Sequence, residues 1–146
     1  MNEMKTTLFM VLFLCVCAFA QQDMIFMQGA ACFRDSSGRL LGNARTEGNR
    51  TIYRDSSGRL TATATKDGNR TVFRDHSGKL IGTATNEGNR TVYRDASGRM
   101  VSTSNQNGSQ TTYRDSTGKM IGTSRKEGNR TTFRDASGRL KGTQTK

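Results

Sequence analysis

The stretch NRTVYRDASGRM, residues 89–100, recurs with small changes every twenty residues from Phe33 to the end of the chain. Aligned on its aromatic residue, the sequence contains five full units of twenty residues and a final unit of fourteen, with no insertion or deletion. Such repetition is typical of proteins in which each unit buries its surface only against its neighbours. It predicts a single repeat domain over residues 33–146.

A finer period of ten lies inside the repeat, because a glycine ends a polar triplet such as ASG or KDG at every tenth position. Three-residue hairpin loops favour a type I turn followed by a residue with positive φ, which glycine adopts without steric cost. The seven residues between triplets, such as NRTVYRD and KLIGTAT, are rich in Thr, aromatic and β-branched residues, as strands are. The predicted turn glycines are Gly38, Gly48, Gly58, Gly68, Gly78, Gly88, Gly98, Gly108, Gly118, Gly128 and Gly138.

These signals predict an all-β fold, a repetitive antiparallel meander of short hairpins with two seven-residue strands per repeat. Three-residue turns set the facing residues, and they place Phe73 opposite Ile81 and Thr71 opposite Thr83. One face would carry the aromatic and aliphatic residues with a threonine ladder. The other would carry arginines on one strand and Leu or Met with small residues on the next. One turn in each repeat would be flanked by an acid–base pair, from Asp35 with Arg39 to Asp135 with Arg139.

Two other architectures fit the repeat. A β-solenoid with one coil per repeat would stack identical positions, which suits ladders of Thr and Asn. Its interior would hold arginines or Asp–Arg pairs, whose burial is costly. A fibre could form by addition of chains to open edge strands. The sequence favours the meander, open or curled, and keeps the solenoid as the alternative.

The N-terminus has the pattern of an export signal. Lys5 precedes thirteen apolar residues, Leu8 to Ala20, and Ala18-Phe19-Ala20 forms an A-x-A cleavage site. Thirteen apolar residues are short for a membrane span, so an uncleaved anchor is the weaker alternative. We therefore expect residues 1–20 to be a signal peptide, residues 21–32 a short leader, and the mature protein to be secreted or placed in the cell envelope.

The charge and the cysteine content further narrow the class of protein. Within residues 33–146 there are 22 basic and 10 acidic side chains, a net charge of +12, so the excess belongs to the repeats. After cleavage Cys32 is the one remaining cysteine, which could link two chains but cannot close an internal disulfide.

The units YRDSSGRL and GNRTVY resemble the tyrosine-aspartate (YD or RHS) repeats of bacterial surface and toxin-shell proteins. That resemblance spans residues 33–146 and implies β-hairpin architecture, export and a bacterial origin. The chain differs from the family pattern in having an arginine between the aromatic residue and the Asp, as at Arg54 and Arg94. Six units are also too few for the shell that such repeats build around a cargo.

No catalytic constellation emerges, so we expect a non-enzymatic protein without a metal, a cofactor or a small-molecule substrate. The single histidine, His76, occupies a turn position where other repeats carry Ser or Ala. The Asn-Arg-Thr triplets match a glycosylation acceptor, but we favour the simpler explanation that a strand starts there after glycine.

The leading functional hypothesis is an exported structural or interaction element, self-associating through its sheet edges. A second is a module that binds an anionic polymer through an arginine array, and a third is ice binding through the threonine ladder. The candidate polyanion-binding residues form two columns on one face: Arg34, Arg54, Arg74, Arg94, Arg114 and Arg134 in one, and Arg50, Arg70, Arg90 and Arg130 in the other.

Overall fold

The computed structural model describes residues 29–146, and side chains from residue 31 onward. The expected signal peptide and most of the expected leader lie outside the described residues. The first strand begins at Gly29, so the last residues of that leader belong to the sheet. The strands are β1 (Gly29–Asp35), β2 (Leu40–Glu47), β3 (Arg50–Asp55), β4 (Leu60–Asp67), β5 (Arg70–Asp75), β6 (Leu80–Glu87), β7 (Arg90–Asp95), β8 (Met100–Asn107), β9 (Gln110–Asp115), β10 (Met120–Glu127), β11 (Arg130–Asp135) and β12 (Leu140–Thr145).

The predicted all-β antiparallel meander is confirmed, and the sheet is closed. Each strand pairs with the next along the chain, and β12 returns to pair with β1, which gives a twelve-stranded barrel. Cys32 faces Thr145 and Asp35 faces Gly142 across this junction. Closure also corrects the expectation of open edges, because both terminal strands are already paired. The parallel stacking of a solenoid does not occur in residues 29–146.

The turns that join an odd-numbered strand to the next even-numbered strand, called odd-to-even turns, have the predicted three residues. An aspartate side chain organises each of them. In the fourth repeat the Asp95 side chain accepts hydrogen bonds from the Ser97 amide at 2.8 Å, the Ser97 hydroxyl at 2.6 Å and the Arg99 amide at 3.0 Å. Gly98 follows with a φ of 86°, which a residue with a side chain would rarely adopt. The Asp-x-Ser-Gly or Asp-x-Thr-Gly motif thus closes its own loop before any contact with other repeats.

The even-to-odd turns differ from the prediction. Glu87 pairs with Arg90, so the loop is the two residues Gly88 and Asn89 rather than the triplet NEG. Gly88 has a φ of 69° and no non-glycine residue among those described has a positive φ, the pattern of a type II′ turn. All eleven of the predicted turn glycines have positive φ, from 57° to 88°.

A second difference is a β-bulge in every odd-to-even hairpin. Arg74 pairs with Leu80 as the three-residue turn requires, but Phe73 then pairs with Gly82, so Ile81 is the extra residue. An extra residue on one strand shifts the register by one and exchanges the faces of everything beyond it. The predicted pairing of Phe73 with Ile81 and of Thr71 with Thr83 is therefore wrong. Phe73 faces Gly82 and Thr71 faces Ala84.

The corrected register decides what lies inside the barrel. The six aromatics of the repeat are at most 6% exposed, and small residues such as Ala64 and Ala84 are buried with them. The small residues therefore share the inner face with the aromatic rings, whereas the prediction placed them on the face that carries the arginines. Small side chains suit this position, because a closed sheet has less room on its concave face. The threonine ladder also divides, since Thr71 points inward and Thr83 lies on the outer face opposite Val72 and Arg94. The buried aromatics are Phe33, Tyr53, Phe73, Tyr93, Tyr113 and Phe133.

Buried hydroxyl groups pair with one another inside the barrel. The hydroxyl of Tyr93, which is 0% exposed, lies 3.0 Å from the hydroxyl of Ser104, which is 1% exposed. We expect Ser104→Ala to cost about 1–3 kcal/mol in the free energy of unfolding, because it removes this partner from a buried polar group. The third repeat carries Phe73 and Ala84 at the same positions, so adding Tyr93→Phe should recover part of the loss. Urea unfolding of the two single variants and the double variant measures the coupling, and strictly additive losses would contradict the prediction.

Candidate polyanion-binding surface

The outer wall carries both predicted arginine columns. Arg94 faces Thr83 and Met100 on its two neighbouring strands, Arg90 faces Glu87 and Asn105, and both arginines are exposed. Equivalent positions recur on every second strand, about 9.6 Å apart along the sheet. Because the sheet is closed, the six arginines of the Arg94 column form a ring around the barrel, and the four of the Arg90 column form an incomplete ring with Gln110 in one place. A straight polymer lying along the wall can therefore reach only part of either ring.

The ring that contains Arg94 has a structural role that the sequence did not reveal. In the fourth repeat the Arg94 Nη1 donates a hydrogen bond to the Gly98 carbonyl at 3.1 Å, and in the first repeat Arg34 makes the equivalent bond at 2.8 Å. A guanidinium has five N–H donors, so this contact uses one of them. The same bond from arginine to turn glycine is made by Arg34, Arg54, Arg74, Arg94, Arg114 and Arg134.

The acid–base pairs at these turns are weaker features than the sequence suggested. Arg39 lies 3.3 Å from Asp35 as predicted, with the Arg39 side chain 79% exposed. At the last turn it is Lys141 that lies 3.6 Å from Asp135, whereas Arg139 donates its backbone amide to that carboxylate. Exposed ion pairs contribute little, so the aspartates act mainly as acceptors for the turn.

These hydrogen bonds hold the pKa of each turn aspartate below its ordinary value of 3.8. The main cause is the hydroxyl of the residue two positions later, Ser97 for Asp95 and Thr117 for Asp115, and backbone amides add to it. A lowered pKa means that the folded protein favours the carboxylate form. The pKa is lowered by the same main cause at the other turn aspartates, which are Asp35, Asp55, Asp75 and Asp135.

Acid should therefore destabilise all six turns together. The stabilising contribution of a carboxylate with a lowered pKa is complete above the ordinary value of 3.8 and is lost as the pH falls through the folded-state pKa. We expect the urea midpoint to fall steeply below about pH 4. Asp95→Asn should lower the midpoint at neutral pH and lose less on acidification, whereas Glu87→Gln on the opposite rim should keep the full acid loss. An equal acid loss in the two variants would contradict this account.

The turns define two different ends of the barrel. The six-turn rim consists of the three-residue turns of the Asp-x-Ser-Gly and Asp-x-Thr-Gly motifs, at residues 36–38, 56–58, 76–78, 96–98, 116–118 and 136–138. The five-turn rim consists of the two-residue loops at 48–49, 68–69, 88–89, 108–109 and 128–129, with both ends of the described chain completing the circle. Each loop of the six-turn rim carries one basic residue directly after its glycine: Arg39, Arg59, Lys79, Arg99, Lys119 and Arg139.

Other candidate groups are less suited to a site. His76 is exposed in its turn, and Thr63 and Thr83 lie on a curved wall rather than the flat array that ice binding needs. Among residues 29–146 no three His, Cys, Asp or Glu side chains come together as metal ligands do. Cys32 is an exposed free thiol on β1.

Inside the barrel, Gln144 is a polar residue that sequence reasoning missed. It takes the inward position that is Ala or Ser in other repeats and is 1% exposed. Neither polar atom of its side-chain amide has a hydrogen-bond partner in the described part of the chain. Its inward direction depends on the bulged register, so no signal in the sequence pointed to it.

No family model and no curated protein matches this chain. Its fold is similar to that of an Arabidopsis thaliana protein solved by X-ray crystallography, with a TM-score of 0.55 and 10% sequence identity. The match covers 80% of this chain and 78% of the plant protein. At this identity the likeness concerns the fold alone. The resemblance to tyrosine-aspartate repeats stays a prediction.

Within the described part of the chain, no helix is long and apolar enough to cross a membrane.

Proposed function

We propose that this protein is an exported, non-enzymatic interaction module that binds anionic polymers through the basic outer wall of its barrel. The observation that carries the proposal is the distribution of charge. Both arginine rings point outward and are exposed, and the repeats hold 22 basic against 10 acidic side chains. A surface of this kind attracts polyanions over distances of about a Debye length.

The turn aspartates stay charged but are held within their own loops. One oxygen of each turn aspartate accepts bonds from its own loop, as Asp75 does from Ser77 and Lys79. Those carboxylates are therefore fixed within the turns, whereas basic side chains such as Arg59 and Arg99 extend into solvent. Assembly by sheet extension is not part of the proposal, because β1 and β12 already pair with each other.

Binding of dextran sulfate, with uncharged dextran as the control polymer, tests this function. We expect the full chain to bind dextran sulfate with an affinity that falls steeply and log-linearly with salt, as counterion release requires. A flexible polymer can reach either rim, so a six-turn variant (Arg59→Gln, Arg99→Gln, Lys119→Gln) and a five-turn variant (Arg50→Gln, Arg70→Gln, Arg90→Gln) should weaken binding by similar factors.

Failure to bind dextran sulfate at low salt would contradict the proposed function. Salt-insensitive binding would contradict it as well. Both variants remove three positive charges and leave the Arg94 ring of turn contacts in place, so a loss of folding is not the expected cause of weaker binding. Circular dichroism of each variant checks that point.

A further inference from the structure

The six-turn rim forms a regular ring. Phe33 faces Gly42 on the next strand, and Gly42 faces Asp55 on the strand after that. The equivalent residues of every repeat follow the same register. The closing repeat keeps the same register, from Phe133 through Gly142 to Asp35. Six identical steps that close on themselves relate the repeats by rotation about the barrel axis. The six loops therefore lie at one level, at one end of the barrel.

Positive charge is uniform around this ring. Every repeat supplies two basic residues there, one before the turn aspartate and one after the turn glycine. The five-turn rim is not uniform, because the fourth repeat has Asn107 and Gln110 where other repeats carry charged residues. A partner that contacts all sides of the barrel at once therefore meets an unbroken ring of cations only at the six-turn rim.

Large apolar side chains accompany these cations. The residue after each basic position is Leu or Met in all six repeats, although it lies on the outer wall, where Arg54 faces Leu60 and Arg94 faces Met100. Leu60, Met100 and Met120 are 36% to 37% exposed. The next residue along, at the bulge, varies from Leu41 to Lys141. The apolar ring consists of Leu40, Leu60, Leu80, Met100, Met120 and Leu140.

Cations beside a ring of apolar side chains, three of which are exposed, match the chemistry of an anionic lipid surface. Phosphate groups attract the arginines and lysines, and apolar side chains gain by entering the boundary between headgroups and acyl chains. Resting on the proposed polyanion binding, we infer that the six-turn rim docks the barrel end-on against a planar surface of anionic lipid.

Co-sedimentation with vesicles tests the inference, using phosphatidylglycerol mixed with phosphatidylcholine against phosphatidylcholine alone. The full chain is used throughout, so that its apolar segment Leu8 to Ala20 is common to every variant. The six-turn variant should bind the anionic vesicles roughly a hundredfold more weakly at low salt, since each basic residue near a lipid surface contributes about 1 kcal/mol. The five-turn variant removes the same charge at the other end and should stay within about threefold of the parent chain.

A third variant, Leu60→Ser, Met100→Ser and Met120→Ser, separates lipid from polymer binding. It should weaken vesicle binding and leave binding of dextran sulfate unchanged. Equal losses in the six-turn and five-turn variants would overturn end-on docking. Binding of dextran sulfate without binding of anionic vesicles would overturn the lipid surface and leave the proposed function standing, and binding of neither would overturn both.

Discussion

Replacing Ala84 by aspartate should destabilise the protein by more than about 4 kcal/mol, because it places an unpaired carboxylate inside the barrel. Ala84 is 2% exposed and belongs to the core with Phe73 and Tyr93. The substitution introduces both a charge and extra volume on the concave face. Urea unfolding of the full chain measures the loss, and a chain that fails to fold under standard conditions is the extreme form of the same result.

The neighbouring residue supplies the matched control. Thr85 lies on the outer wall and faces Arg70, so Thr85→Asp puts the same charge beside a cation and in contact with water. Its effect should stay within about 0.5 kcal/mol. A pair of losses of similar size, or a larger loss for Thr85→Asp, would show that the faces of β6 are assigned the wrong way round.

Tyr93→Ala should cost about 3–5 kcal/mol, the usual loss for deletion of a buried ring. Tyr93 is 0% exposed, and its ring belongs to a layer to which every repeat contributes one aromatic residue. Arg90→Ala, three residues earlier on the outer wall of the same strand, should change stability by less than about 0.5 kcal/mol. A loss for Tyr93→Ala below about 1 kcal/mol would mean that the aromatic layer is not the core.

The strands and their turns could be predicted because the relevant signals are local. A glycine with positive φ after Asp-x-Ser ends a strand by itself, and the threonines and aromatics between turns favour extended backbone. Antiparallel order follows from short loops between strands. These features need no information from beyond about ten residues.

The register could not be predicted in the same way. The bulge at Ile81 has no sequence signal of its own, because Leu41, Thr61 and Lys141 take the same position in other repeats. Likewise NEG at residues 86–88 looks like the ASG triplet at 96–98, yet one loop holds two residues and the other three. Two such differences in each repeat were enough to exchange the faces of the small residues and the threonines.

Closure of the barrel depends on the whole sheet. The sequence of one repeat indicates only how it pairs with the neighbouring strands, so closure could not be predicted from it. The pattern placed both arginine columns on one face, and both lie on the outer wall, but it could not show that this wall curves into a ring. Nor could it show that Arg74 donates to the Gly78 carbonyl, because that bond depends on the shape of the loop. Leu60 lies before the bulge and faces Arg54, so the three-residue turn already places it on the arginine face, but the ring that it forms with its equivalents depends on closure of the sheet.

The most direct test of the closed barrel is a disulfide across the junction of β1 and β12. Cys32 faces Thr145, and paired residues on neighbouring strands lie within the Cα separation that a disulfide requires. With Cys15→Ser and Cys17→Ser as background, Thr145→Cys should give a fast intramolecular disulfide, seen by mobility without reductant and by mass. Thr85→Cys, at the equivalent position three repeats earlier, is the control. In an open sheet β1 and β12 would lie about 50 Å apart, so a chain that forms only intermolecular disulfides, or reacts no faster than the control, would contradict the barrel.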